Sequence, residues 1–171
     1  MKKTMKKILL LFVMATTMLM ANAESGEWAV GGQVVYGTKA KTAGIGLHVK
    51  NCLTDAFRLG LSGNYYFKRS GVNAFDVNLE ANYLFDVGEK VRLYPLAGVC
   101  LGIWHADGVN VSVGGINVSS GSQTDTKFGG NLGGGIDYLL GDHWGVNAEV
   151  KYQIISHASQ VVFGIGASYR F

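Results

Sequence analysis

The chain has 171 residues, with 15 Lys and Arg against 12 Asp and Glu, 25 Gly, one Pro and two Cys. Four of the basic residues, Lys2, Lys3, Lys6 and Lys7, precede an apolar run over 8–20 and the small-x-small triplet Ala21-Asn22-Ala23, the three parts of a secretion signal. Without 1–23 there remain 148 residues carrying 11 basic and 12 acidic groups, a net charge of −1, so the apparent surplus of +3 gives no ground for nucleic-acid binding.

The leader is expected to be cleaved after Ala23, leaving 24–171 as one domain. Its apolar run is too short and one-sided for a spanning helix, and nothing after it is apolar at helix-spanning length. No Cys directly follows the run, which argues against a lipoprotein.

From there the chain alternates with period two, the pattern of strands with one apolar face. The first expected strand covers 27–37, with Trp28, Val30, Val34 and Tyr36 on the apolar parity. The second covers 43–51. The third, 57–67, sets Phe57, Leu59, Leu61, Tyr65 and Phe67 against Arg58, Ser62 and Asn64. The fourth, 74–85, sets Phe75, Val77, Leu79, Ala81, Tyr83 and Phe85 against Asp76, Asn78, Glu80 and Asn82. The fifth covers 91–104, the sixth 127–140, the seventh 144–155 and the eighth 160–171. Each is about the length a tilted strand needs to cross a bilayer. Pro95, in the fifth, has no amide hydrogen and implies a missing ladder bond or a bulge. Trp104 falls on the polar parity near one rim, where it either caps the interior or is turned outward by a bulge. Cys52 and Cys100 are expected to be free thiols, one in a turn and one in mid-strand.

The connections alternate. Those over 52–56, 86–90 and 141–143 are tight; those over 38–42, 68–73 and 156–159 are modest. The stretch 105–126 is long and rich in Gly, Ser and Asn. Short turns at one rim and longer loops at the other are the outer-membrane pattern, with the long loop outside. The expected fold is therefore all-β, an eight-stranded antiparallel up-and-down transmembrane barrel.

Alternation does not say which face looks inward, and a soluble lipocalin-like barrel would put its apolar face inside. Two observations favour the membrane. Aromatics collect at the strand ends: Trp28, Phe57, Phe85, Trp144 and Phe171 at one rim, and Tyr36, Phe67, Phe75, Tyr152 and Phe163 at the other, as two interfacial girdles. The polar face also fits a narrow interior. Pairing through the turn near Gly141 sets Gly135 beside Glu149 and Gly133 beside Lys151. Pairing through the loop near His157 is expected to set Gly166 and Gly164 on their other flanks, so that large residues face small ones.

The expected interior set is Gln33, Lys50, Arg58, Asp76, Glu80, Arg92, Asp137, Glu149, Lys151 and Arg170, with Arg92 and Asp137 as partners. It reads either as an ion path or as a plug of paired charges; an eight-stranded interior is just filled by side chains, which favours the plug. The four His show no metal-ligand spacing, and no cofactor is implied. Gly129-Gly130 and Gly133-Gly134-Gly135 lie in a strand pattern and lack the helix and Lys of a phosphate loop. His157-Ala158-Ser159 resembles the His-x-Ser of eight-stranded outer-membrane lipid A deacylases, in which a carboxylate orients the His that activates the Ser. Here no Asp or Glu follows it, so no enzyme is expected.

An ordered set of segments carries a wider likeness: Trp28-Ala29-Val30-Gly31-Gly32, Tyr94-Pro95-Leu96-Ala97-Gly98, Asn131-Leu132-Gly133-Gly134-Gly135-Ile136-Asp137-Tyr138 and the ending Tyr169-Arg170-Phe171. Together they resemble the small porin-like outer-membrane β-barrel family of the OmpX/OmpA-barrel type, across the whole chain after the leader. The resemblance implies a lipid environment in the bacterial outer membrane. It also implies insertion by the barrel-assembly machinery through the C-terminal strand. It implies no substrate, since fold does not give function. The expected role is structural or surface interaction through 105–126, against two rivals: a narrow pore lined by Glu80, Glu149 and Lys151, and a lipid-modifying enzyme using His157 and Ser159.

Overall fold

The computed structural model describes residues 26–106, 110–113, 116–119 and 121–171; the leader expected over 1–23 lies outside them. Eight antiparallel strands form the barrel: β1 (Trp28–Gly37), β2 (Thr42–Cys52), β3 (Phe57–Arg69), β4 (Val72–Tyr83), β5 (Val91–Ala106), β6 (Gln123–Leu139), β7 (Trp144–Ile155) and β8 (Gln160–Arg170). Each pairs with its neighbours in sequence, and β1 pairs with β8. That last pairing closes the sheet and leaves no edge with unpaired backbone groups, the condition for strands to cross hydrocarbon.

Burial fixes the faces. Along the outside, Ile165 is 70% exposed and Leu132 61% exposed, whereas inside Asn64 is 0% and Lys151 3% exposed. Apolar out and polar in is the arrangement of a membrane barrel, and the reverse of a soluble one. Of the ten expected girdle residues, Tyr36, Phe57, Phe67, Phe85, Trp144, Tyr152, Phe163 and Phe171 are exposed on the outer face. Phe75 is half-buried and lies over Gly63. Trp28 departs from the expectation at 7% exposed. The chain just ahead of it stays on the sheet, where the Cys52 amide donates to the Glu27 carbonyl at 2.9 Å. The turn-side rim is strengthened by edge-to-face contacts of Phe57 with Tyr83 (centroids 5.2 Å apart) and of Trp144 with Tyr169 (5.3 Å).

Several local expectations are corrected. The long connection is largely strand: β5 runs on to Ala106 and β6 begins at Gln123, with a small hairpin of Asn110–Val113 against Ile116–Ser119 between them. At Pro95 the structure shows the missing ladder bond, the first of the two expected outcomes, and no bulge. Asn82 faces Leu96 and Phe85 faces Leu93 in the same register, and the ladder simply lapses between these pairs. The Leu84 amide is used elsewhere, donating to the Ala56 carbonyl at 2.7 Å. The β7–β8 register is two residues tighter than expected. Glu149 lies between Gly135 and Gly164, but Lys151 lies between Gly133 and Val162, and Gly166 faces Asn147. The cause is the turn. His157 takes a left-handed conformation (φ 63°), and Ser159 Oγ clasps both the amide and the carbonyl of Ile155, at 3.1 and 2.9 Å. Cys52 sits at the end of β2 rather than in a turn, and both cysteines are free thiols.

Candidate functional site

The inward parity of every strand delivers one or more polar side chains to the lumen, and the strand register stacks them in tiers. His48 Nδ1 meets Gln33 Oε1 at 3.2 Å, and Gln33 Nε2 donates to Asn64 Oδ1 at 2.6 Å. Asp76, nearer the loop rim, is the hub. It accepts from Asn64 Nδ2 (2.7 Å), Asn78 Nδ2 (2.7 Å), the Tyr66 hydroxyl (2.9 Å) and Gln153 Nε2 (3.0 Å). Four neutral donors thus replace the cation that a buried carboxylate otherwise needs.

The middle tier is ionic. Lys151 Nζ lies 2.7 Å from Glu80 Oε1 and 3.3 Å from Glu149 Oε1. Asn131 Nδ2 donates to Glu80 Oε1 (2.7 Å) and to Asn78 Oδ1 (2.8 Å), joining this tier to the one above. The Tyr94 hydroxyl donates to Glu149 Oε2 at 3.2 Å, joining it to the one below. There Arg58 stacks on the Tyr94 ring, its guanidinium carbon 4.6 Å from the centroid, and pairs with Asp137, which Lys50 also approaches at 4.0 Å. The pairs Glu80–Lys151, Asp76–Gln153 and Arg58–Asp137 each join strands on opposite walls, so the network crosses the lumen as well as running along it.

Small residues make this packing possible. A Cβ at Gly46 would lie 2.0 Å from Asn64 Oδ1, and one at Gly135 2.4 Å from the Tyr94 hydroxyl. The large-against-small rule therefore holds in the interior, although Lys151 itself has a glycine on one flank only. At the loop rim the polar core is topped by an apolar cluster of Val35, Tyr66, Ala74 and Val162, with Trp104 packed against it. Trp104 thus caps the interior, and no bulge turns it outward.

Of the expected interior residues, Gln33, Lys50, Arg58, Asp76, Glu80, Asp137, Glu149 and Lys151 join this network. Arg92 and Arg170 do not. Although Arg92 faces Asp137 in the β5–β6 ladder, its side chain pairs with Asp86 (2.9 Å) and approaches Glu27 (3.8 Å) at the turn rim. Arg170 also takes Glu27, at 3.2 Å, and donates to the Gly141 carbonyl. Asp137 is claimed instead by Arg58, which reaches it across the lumen. Sequence reasoning missed the part played by Tyr94, Asn131 and Gln153, although their parity marks them as inward.

His157 and Ser159 are not brought together as a catalytic pair. His157 Nδ1 meets Ser156 Oγ at 2.9 Å, and Ser159 is spent on the backbone of Ile155. Among the described residues, no three His, Cys, Asp or Glu side chains are grouped to hold a metal ion.

Residues 8–171 match the family model described as outer membrane protein beta-barrel domain. The chain belongs to the outer-membrane β-barrel family. Family membership places it in the bacterial outer membrane. No curated protein matches the chain. Among solved structures, the N-terminal β-barrel domain of Pseudomonas aeruginosa OprF is similar at 21% identity and a TM-score of 0.67, covering 86% of this chain and 100% of its own. Yersinia pestis Ail, the attachment invasion locus protein, is similar at 19% identity and 0.56, covering 86% and 97%. Pseudomonas aeruginosa OprG is similar at 14% identity and 0.55, covering 86% and 96%. At these identities the likeness is one of fold.

Proposed function

We propose that this outer-membrane β-barrel is a side-chain-plugged, non-enzymatic scaffold with a structural or surface-interaction role. The observation that supports it is the continuous hydrogen-bonded and ionic chain from His48 through Asp76 and Lys151 to Tyr94. An ion crossing the lumen would have to break buried, mutually satisfied pairs, each of which strands a charge when opened. In this reading the leader 1–23 is removed after Ala23, and the strand ending at Phe171 is what the barrel-assembly machinery reads. The loop rim faces outward, and the connection over 105–126, part of which lies outside the described residues, is the contact element, since binding residues concentrate on loops held by a rigid scaffold. A lipid-modifying enzyme is disfavoured by the occupation of Ser159 with backbone.

The test is conductance in a planar bilayer. The refolded protein is expected to add no steady current. A reproducible conductance step whose size changes when Glu149 or Lys151 is neutralised would replace the plug with a pore.

A further inference from the structure

Lys151 and Asn131 share one oxygen of Glu80: Lys151 Nζ and Asn131 Nδ2 each lie 2.7 Å from Glu80 Oε1. The two nitrogens are therefore within twice that distance of each other, and the amide carbon of Asn131, Cγ, is one bond from its nitrogen. In the β6–β7 ladder Asn131 faces Gln153 and Gly133 faces Lys151, so Asn131 and Lys151 are diagonal neighbours on the inner wall. Such neighbours are about 7–8 Å apart, within the reach of a long side chain. Gly98 stands between Glu80 and Asn131, and a Cβ there would lie 2.8 Å from Glu80 Cγ; the glycine lets the carboxylate lean over to the amide. Lys151, Asn131 and Glu80 are 3%, 4% and 7% exposed, so water hardly competes for them.

An amine, a primary amide and a carboxylate that touches both are the nucleophile, the electrophile and the proton carrier of an acyl transfer. Among the described residues the Asn131 oxygen, Oδ1, has no hydrogen-bond partner although it is buried. Such an orphan in a native interior calls for a role. We propose that Lys151 Nζ and Asn131 Cγ condense into an isopeptide bond that ties β7 to β6, with Glu80 moving the protons. Two carboxylates hold Lys151 as an ammonium, which has no lone pair, so one of its protons first passes to Glu80. A half-turn of the Asn131 amide brings Oδ1 to that proton, which polarises the carbonyl. The freed lone pair of Nζ attacks Cγ and forms the new C–N bond. The Cγ–Nδ2 bond then breaks, and its electron pair leaves with the nitrogen, which takes a proton released by Nζ and departs as ammonia. Of the three ammonium protons, one stays on the new amide, one leaves with ammonia and one remains on Glu80. The site keeps its net charge, and Glu149 is left facing a neutral acid. Oriented, immobile reactants reach effective concentrations of about 10⁵–10⁸ M, which offsets the low reactivity of an amide. The first proton transfer makes the reaction slow, so the ion-paired tier described above is its starting state.

The test is a tryptic digest of the refolded protein, read by mass spectrometry when freshly folded and after one week in neutral detergent. The fold is checked by the shift in gel mobility on heating. Trypsin cuts the unreacted chain after Lys127, Lys151 and Arg170, which gives peptides 128–151 and 152–170. An isopeptide bond hides Lys151 from the protease. Both peptides are therefore expected to give way to one, 128–170, lighter by one ammonia. Glu80→Gln keeps both reacting groups but has no base, and is expected to slow the change at least tenfold. Lys151→Arg keeps the cation and is expected to lose no ammonia. Three results would overturn the proposal: full-mass peptides 128–151 and 152–170 after one week, loss of ammonia with the cut after Lys151 intact, or Glu80→Gln reacting as fast as the parent. The parent digest decides the matter by itself where Glu80→Gln fails to fold. Unchanged peptides defeat this inference alone, since the plugged lumen rests on the ion pairs and not on the bond.

Discussion

The middle tier of the lumen and the turn rim contain the same kinds of ion pair in different surroundings. Around Lys151, both carboxylates and the ammonium are almost wholly buried. Around Arg92, the guanidinium side chain is 24% exposed and its Asp86 partner 62% exposed, at a similar separation of 2.9 Å. Distance alone would rank these pairs as equals. Burial separates them, because a charge left behind in the lumen has no water to turn to.

The sharpest way to test that contrast is Lys151→Met, which leaves Glu80 and Glu149 facing each other without their shared cation. A loss of about 3–5 kcal/mol is expected, read as a lower midpoint in urea unfolding followed by gel mobility. Adding Glu80→Gln and Glu149→Gln to the same chain is expected to recover most of it, since the triple variant buries no unpaired charge. If the single variant were as stable as the parent, the lumen would be wet and the contrast would collapse.

The outer face gives the next largest effect. Leu132 is bare and lies near the middle of β6. Leu132→Arg is expected to cost about 2–4 kcal/mol in lipid vesicles, as a cation on the lipid face near the midplane does. A cost near zero would move this position to the interface. Third comes Gly135→Val, which drives side-chain atoms into the space of the Tyr94 hydroxyl. Overpacking of this kind costs about 1–3 kcal/mol, and adding Tyr94→Phe is expected to recover little of it, because the ring Cζ, as close as the hydroxyl, and the Ala148 carbonyl stay in place. Smallest is Arg92→Ala at the turn rim, expected to cost at most about 1 kcal/mol and to lose even that at high salt. A salt-independent cost as large as that of Lys151→Met would mean that burial is not what separates the two clusters.

What the sequence made legible follows the same division. Period-two alternation is a local property, so all eight strands, their parity and, through a tight turn, Gly135 beside Glu149 are readable from the chain. The choice of ionic partner is not local. Arg92 and Asp137 are ladder neighbours, yet Arg58 takes Asp137 from the opposite wall, because a long side chain in a narrow barrel reaches across as easily as sideways. Register through the last loop was misjudged by two residues because it depends on the left-handed His157 and the Ser159 clasp, neither of which leaves a periodic trace. Asp76 was readable as an interior acid. That neutral amides and a hydroxyl satisfy it depends on two other strands, β3 and β7, arriving at the same height.

The orientation of the two faces carries the whole account, and lipid quenching of tryptophan fluorescence reads it directly. In a variant with Trp28, Trp104 and Trp144 replaced by Phe, a single reporter is placed at Ile165, and a second chain keeps only Trp104. In vesicles with bromines along the acyl chains, strong quenching is expected for the reporter at 165 and little for Trp104 at the mouth. Quenching of Trp104 with none at 165 would place the apolar face away from lipid and contradict a polar-cored membrane barrel.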